Sequence, residues 1–258
     1  MTRMFPLVSA LALMAGMATA ADIKVGVSPG EHAEIMEEVA KVAEPMGLNI
    51  DVVEFSDYVV PNQALADGDI QANSFQHQPY LDNQMKDRGF ALVPVATTIT
   101  TPMGVYSDKI TALESFPEGG SMGIPNDPTN GGRALLVLQQ LGLLKLAEGT
   151  GLVPTVLDVV ENPKDIRFRE LDAAQLPRSL ADLDAALINT NYAIASGLNP
   201  KEDAIAVESA DNPYVNIIVV RDGDQEQPWV QPLIDAYHSP EIKAFIEEKY
   251  HGTVLTSW

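Results

Sequence analysis

Apolar and polar positions alternate over residues 22–28 (DIKVGVS), a strand pattern, and Pro29-Gly30 then turns the chain. Over residues 31–46 the apolar side chains of Ile35, Val39, Val42 and Met46 recur at helical spacing, and residues 48–55 (LNIDVVEF) read as a second strand. Strand, helix and strand within about 35 residues form a βαβ unit, which implies parallel pairing and a right-handed crossover.

The alternation continues. Residues 61–67 predict a short helix, 69–75 a strand, and 79–88 a helix with proline in its first turn and Gly89 just past its end. Strands follow over 92–97 and 103–107. Pro117-Glu118-Gly119-Gly120 is the clearest punctuation in the chain, and a second α/β run comes after it. That run holds a strand over 121–124, a strong helix over 133–144, and strands over 155–160, 167–171 and 185–189. Residues 215–221 (VNIIVVR) have the continuous apolar pattern of a buried strand. The C-terminus is helical, with Ser239 as cap, Pro240 at the first position and Glu241 in the first turn.

Two α/β runs joined without a flexible linker predict two lobes. In open α/β sheets a ligand sits beyond the carboxyl ends of the strands, so two such lobes facing each other form a cleft, and hinge closure around a ligand is a familiar motion of such pairs.

The first twenty residues carry a different signal. Arg3 supplies a positive start, residues 5–20 are uncharged and rich in Leu, Ala, Met and Val, and Ala18-Thr19-Ala20 fits a small-x-small cleavage site. The stretch falls short of the roughly 20 apolar residues that span a bilayer. The expectation is a cleaved signal peptide over residues 1–20, cut between Ala20 and Ala21, and a protein working in the periplasm. The chain has no cysteine, which excludes thiolate metal or catalytic sites and leads to the expectation that the protein is not lipid-anchored.

Charge removes further classes. With 36 acidic against 16 basic residues the net charge is −20, and the basic residues are scattered. Nucleic-acid binding needs lysine and arginine set against phosphates, so no nucleic-acid partner is expected, and an anionic membrane surface would repel the chain.

Three segments could carry chemistry. In residues 126–144 (NDPTNGGRALLVLQQLGLL), turn and cap residues through Asn130 lead into Gly131-Gly132, and Arg133 opens an apolar helix. An arginine in a helix's first turn opposes the macrodipole, which suits an external anion held by helix N–H groups and guanidinium together; a plain surface arginine after a cap reads equally well. In residues 73–80 (NSFQHQPY), aromatics interleave with amides at a strand's carboxyl end, which suits a pocket gripping an apolar side chain; His77 and Phe75 also fit purely structural roles. Asn189, Asn191 and Asn216 supply neutral amides, able to donate to a carboxylate or accept from an ammonium, though asparagine also caps turns. Enzyme motifs are close to absent. Gly119-Gly120-Ser121-Met122-Gly123 matches the G-x-S-x-G string, yet a strand follows it where a nucleophile elbow needs a helix. His32, His77, His238 and His251 show no metal-ligand spacing. No enzyme activity, cofactor or metal is expected.

At these same residues the sequence resembles the methionine-binding lipoprotein (NlpA) family of ABC-importer substrate-binding proteins. IKVGVSPGEHAEIME, GDIQANSFQHQPYLD, GIPNDPTNGGRALLVLQQLGLL, ELDAAQLPRSLADLDAALINTNYA and NPYVNIIVVR carry the likeness, in order along nearly all of the chain after the leader. The resemblance implies an α/β, two-lobed type II periplasmic-binding-protein architecture, with lobe 1 formed by residues 21–111 plus 211–258 and lobe 2 by 112–210. It implies capture of an amino acid, foremost L-methionine, and delivery to an inner-membrane permease with its ATPase, by a monomer. D-methionine, a methionine-containing dipeptide or another amino acid are the alternatives. Arg133 would hold the carboxylate. Asn216, with Asn189 or Asn191, would hold the head group beside Asn130, and Tyr58, Phe75, His77 and Tyr80 would wall the side chain.

Overall fold

The computed structural model describes residues 21–258, and the leader expected over 1–20 lies outside them. The chain runs β1 (Ala21–Val27), α1 (Glu31–Ala43), β2 (Leu48–Glu54), α2 (Val60–Asp67), β3 (Ala72–His77), α3 (Gln78–Arg88), β4 (Leu92–Thr97), β5 (Ile99–Thr100) and β6 (Gly104–Tyr106). It continues through β7 (Ser121–Pro125), α4 (Pro128–Gln140), β8 (Lys145–Leu146), β9 (Val159–Glu161), β10 (Arg167–Leu171), β11 (Ala185–Ile188), α5 (Thr190–Ala195) and β12 (Ala206–Val207). β13 (Asn216–Arg221), α6 (Val230–Tyr237), α7 (Pro240–Tyr250) and β14 (Leu255–Thr256) complete it.

Two five-stranded sheets organise these elements, in the orders β2-β1-β3-β13-β4 and β10-β7-β11-β6-β12. β1 pairs parallel with β2 and β3, the expected βαβ arrangement, and β13 returns antiparallel between β3 and β4. In the second sheet β7 pairs parallel with β10 and β11, and β6 runs antiparallel to β11 and β12. Each sheet has its own core. Val25, Val27, Ile35, Met36 and Val39 pack with Leu233 and Tyr237 of α6 on one face of the first sheet, and Leu65, Leu81 and Val219 fill the other. Leu135 and Leu138 of α4 pack with Met122, Ile124 and Leu187 in the second. The continuous apolar run in β13 follows from burial on both faces, its residues from Asn216 to Val220 all being buried.

Strand membership moves one expected boundary. β6 hydrogen-bonds within the second sheet, so the chain leaves the first lobe between Thr100 and Gly104, ahead of the boundary expected at residues 111 and 112. Pattern alone does not say which sheet a three-residue apolar strand joins. The return crossing lies between Val207 of β12 and Asn216 of β13.

A second difference concerns α4. The apolar stripe predicted a helix opening at Arg133, but the helix opens at Pro128, with Asp127 as its cap accepting from Asn130 N at 2.9 Å. Gly131 and Gly132 therefore lie inside the helix. A Cβ at Gly131 would sit 2.7 Å from Pro125 O, and one at Gly132 would sit 2.8 Å from Val153 Cα. The glycines let α4 pack against neighbouring backbone, and that need overrides their poor helix propensity.

Candidate functional site

Where the two lobes meet, the carboxyl ends of β3 and β11 and the starts of α3, α4 and α5 surround a cavity. The space between its atoms, gaps and open mouth included, is about 330 Å³. Its lining includes Tyr58, Phe75, His77, Tyr80, Asn130, Arg133, Asn189, Asn191 and Asn216, which is every candidate that the sequence put forward, together with His32, Gln76 and Thr101, which it did not.

Arg133 is 2% exposed. Since α4 opens five residues earlier, Arg133 stands in its second turn, and the expected partnership with first-turn N–H groups gives way to capping by the chain's own Asp127. The guanidinium is held from one side. Its Nε donates to both oxygens of Glu208, at 3.0 and 3.1 Å, and its Nη2 donates to Glu208 and, at 2.8 Å, to Thr101 O. The Tyr214 ring lies 4.4 Å from Cζ, a cation–π distance. Nη1 has no protein acceptor among the described residues, and Arg133 borders the cavity.

The amides are partly committed. Asn130 Nδ2 donates to Asp127, and its Oδ1 accepts from Asn189 Nδ2 at 2.8 Å. Asn191 Oδ1 accepts from Tyr58 OH at 2.5 Å, and Asn216 Nδ2 donates to Ile99 O at 3.2 Å. That leaves an acceptor, Asn189 Oδ1, and a donor, Asn191 Nδ2, buried and without partners among the described residues. Both asparagines border the cavity, where the sequence could not choose between them.

The aromatic wall is continuous. Tyr58 stands 6.0 Å from Phe75, 6.1 Å from Tyr80 and 4.9 Å from Tyr192, centroid to centroid, and Tyr80 OH donates to Tyr58 O at 2.7 Å. His77 caps α3, its Nδ1 accepting from Tyr80 N at 3.1 Å. The ring proton therefore sits on Nε2, which faces Asn130 Oδ1 at 3.3 Å. Burial, and next the neighbouring Arg133, push His77 down to about 3, and burial pushes His32 down to about 4. Both rings are neutral at physiological pH, and among the described residues Arg133 is the one formal charge on the lining. Such a site offers a fixed cationic edge, free amide groups of both polarities and an apolar aromatic wall, which suits a small zwitterion with an apolar side chain.

Sequence reasoning missed Glu208, which no motif or spacing distinguishes from other surface-type acids. It also missed the buried amide network in which Gln76 Nε2 donates to Asn62 Oδ1 at 2.7 Å and to Asn73 Oδ1 at 3.0 Å. Ser121, inside the G-x-S-x-G string, opens β7 and donates to Asp184 at 3.0 Å. No group of three or more potential ligands that could hold a metal ion occurs among the described residues.

Known proteins share this architecture. The chain is 49% identical over 239 residues to the D-methionine-binding lipoprotein MetQ of Escherichia coli (strain K12), covering 92% of this chain and 88% of the relative. A nutrient binding protein from Burkholderia cenocepacia, solved bound to methionine, superposes with a TM-score of 0.89 at 53% identity, covering 92% of this chain and all of that one. An ABC transporter periplasmic substrate-binding protein from Coxiella burnetii gives a TM-score of 0.87 at 42% identity, covering 91% and 100% of the two chains. These findings correct one expectation. The Escherichia coli relative is named a lipoprotein, as is the matching family model, which implies lipid attachment and overturns the reading of this protein as not lipid-anchored, while a periplasmic location agrees with the Coxiella burnetii protein. A family model described as NlpA lipoprotein matches residues 23–258 from end to end of the two-lobed body, and the chain belongs to that family.

Proposed function

We propose that this protein captures methionine in the cavity between its lobes and hands it to an ABC permease driven by its ATPase. The family is one of substrate-binding proteins and not of enzymes, in keeping with a site built to hold a ligand. The observation that carries the reading is the buried Arg133 guanidinium, bordering the cavity with Nη1 left free of protein acceptors. In this reading Nη1 and Asn191 Nδ2 receive the ligand carboxylate, while Asn189 Oδ1 and Asn216 Oδ1 receive its ammonium. Phe75, Tyr58, Tyr80 and His77 enclose the side chain, where a thioether gains about 0.3–1.5 kcal/mol from each aromatic contact. Asn130 orients Asn189 and His77 without needing to touch ligand. The protein acts as a monomer that closes by hinge motion at the two crossings.

Mass spectrometry of small molecules released on denaturing freshly purified protein tests this. Methionine in near-stoichiometric amount is expected, and a different amino acid or a dipeptide would overturn the choice of ligand. The Escherichia coli relative is named for D-methionine, so chiral chromatography of the released ligand decides between the enantiomers.

A further inference from the structure

Arg133 does not stand alone behind the cavity. Glu208, 7% exposed, lies on the return crossing and grips the Nε and Nη2 side of the guanidinium. Glu208 is in turn fixed to the outgoing crossing. Met103 N donates to its Oε2 at 3.0 Å, and its own N–H donates to Met103 O at 2.9 Å. Thr101 O, on that same crossing, takes the second bond from Nη2 at 2.8 Å. One carboxylate thus ties together both connections between the lobes and the charged residue on the cavity wall.

We propose that Glu208 is a positioning residue that turns the Nη1 edge of Arg133 into the cavity and cancels its charge, so that the site selects a zwitterion over a bare carboxylate anion. The inference rests on Arg133 receiving the ligand's carboxylate. In a poorly solvated cavity an uncompensated guanidinium attracts any anion and repels an ammonium group. With Glu208 directly behind it, the pair is a dipole whose positive edge attracts a nearby carboxylate while the site as a whole stays neutral. A zwitterion keeps that neutrality. The same molecule without its amino group brings an uncompensated negative charge and leaves the amide acceptor Asn189 Oδ1 unused.

Calorimetric titration with methionine and with its des-amino analogue, a methylthio-butanoate, tests the proposal through the ratio of their affinities. Glu208→Gln should narrow the preference for methionine by about ten-fold or more. A ratio within about two-fold of the parent would overturn the charge-setting role. Glu208→Asp keeps the charge but shortens the reach. It should retain the preference while weakening methionine about five-fold or more, and an unchanged affinity would overturn the positioning role. Should Glu208→Gln not fold, Glu208→Asp decides alone, since loss of the preference in a variant that keeps the charge is also contrary to the proposal. Arg133→Lys separates the underlying reading. Undiminished methionine affinity there would refute the carboxylate contact itself, whereas a large loss there with indifferent Glu208 variants would refute only the role of Glu208.

Discussion

Gly30→Ala separates lobe closure from fold stability. Gly30 caps α1 at φ 87° and ψ −140°, backbone that side chains rarely adopt. A Cβ there would also collide with Asn191 O, a backbone atom of α5 in the other lobe. The two costs belong to different states. Backbone strain, about 1–3 kcal/mol, is present whether the lobes are apart or together and lowers the melting temperature of ligand-free protein, by roughly 2–4 °C per kcal/mol. The overlap with Asn191 arises only when the lobes meet, and overpacking of this kind costs about 1–3 kcal/mol. Methionine should therefore bind about five-fold to over a hundred-fold more weakly. Scanning calorimetry of the free protein reads the first effect and isothermal titration the second. A lowered melting temperature with affinity within about two-fold of the parent would refute the argument, because it would mean that α1 and α5 do not come together on binding.

Other expectations follow from the same geometry. Tyr58→Phe removes the hydroxyl that bridges to Asn191 across the lobes; a bond of about 0.5–1.5 kcal/mol predicts two- to twelve-fold weaker methionine binding by titration, with little change in melting temperature. Glu31 is fully buried with neither carboxylate oxygen partnered, and burial raises it to about 8 from 4.5. A raised carboxyl contributes stability that is whole below its unfolded value and lost as pH climbs through its folded one, so Glu31→Gln should gain on the parent between pH 5 and 8, reaching on the order of 3 kcal/mol near neutrality in urea titrations. Equal stabilities across that range would refute the burial of a neutral, raised carboxyl there. Trp258 stacks on His238 at 4.9 Å and donates to His238 O, and neither residue lines the cavity; Trp258→Ala should cost about 1 kcal/mol in denaturation without altering ligand affinity.

Local pattern carried much of the architecture. The alternation in β1, the spacing of Ile35 and Val39 in α1 and the unbroken apolar run of β13 each reflect burial of a whole face, which a one-dimensional period records. The start of α4 was hidden because Gly131 and Gly132 answer to tertiary contact with Pro125 and Val153 and not to local propensity. The lobe assignment of β6 was hidden because sheet order is set by partners distant in sequence. The same division holds at the site. Arg133 and the aromatics of β3 and α3 lie in dense, unusual strings and could be singled out. Glu208 acts through bonds to residues 75 and 105 positions away, and only the fold brings it to the arginine.

The most direct test is a crystal structure of the protein with methionine bound. The ligand carboxylate is expected within hydrogen-bond distance of Arg133 Nη1, with the side chain against Phe75, Tyr58 and Tyr80 and with Glu208 still behind the guanidinium. A carboxylate bound away from Arg133, or methionine seated outside this cavity, would contradict the account.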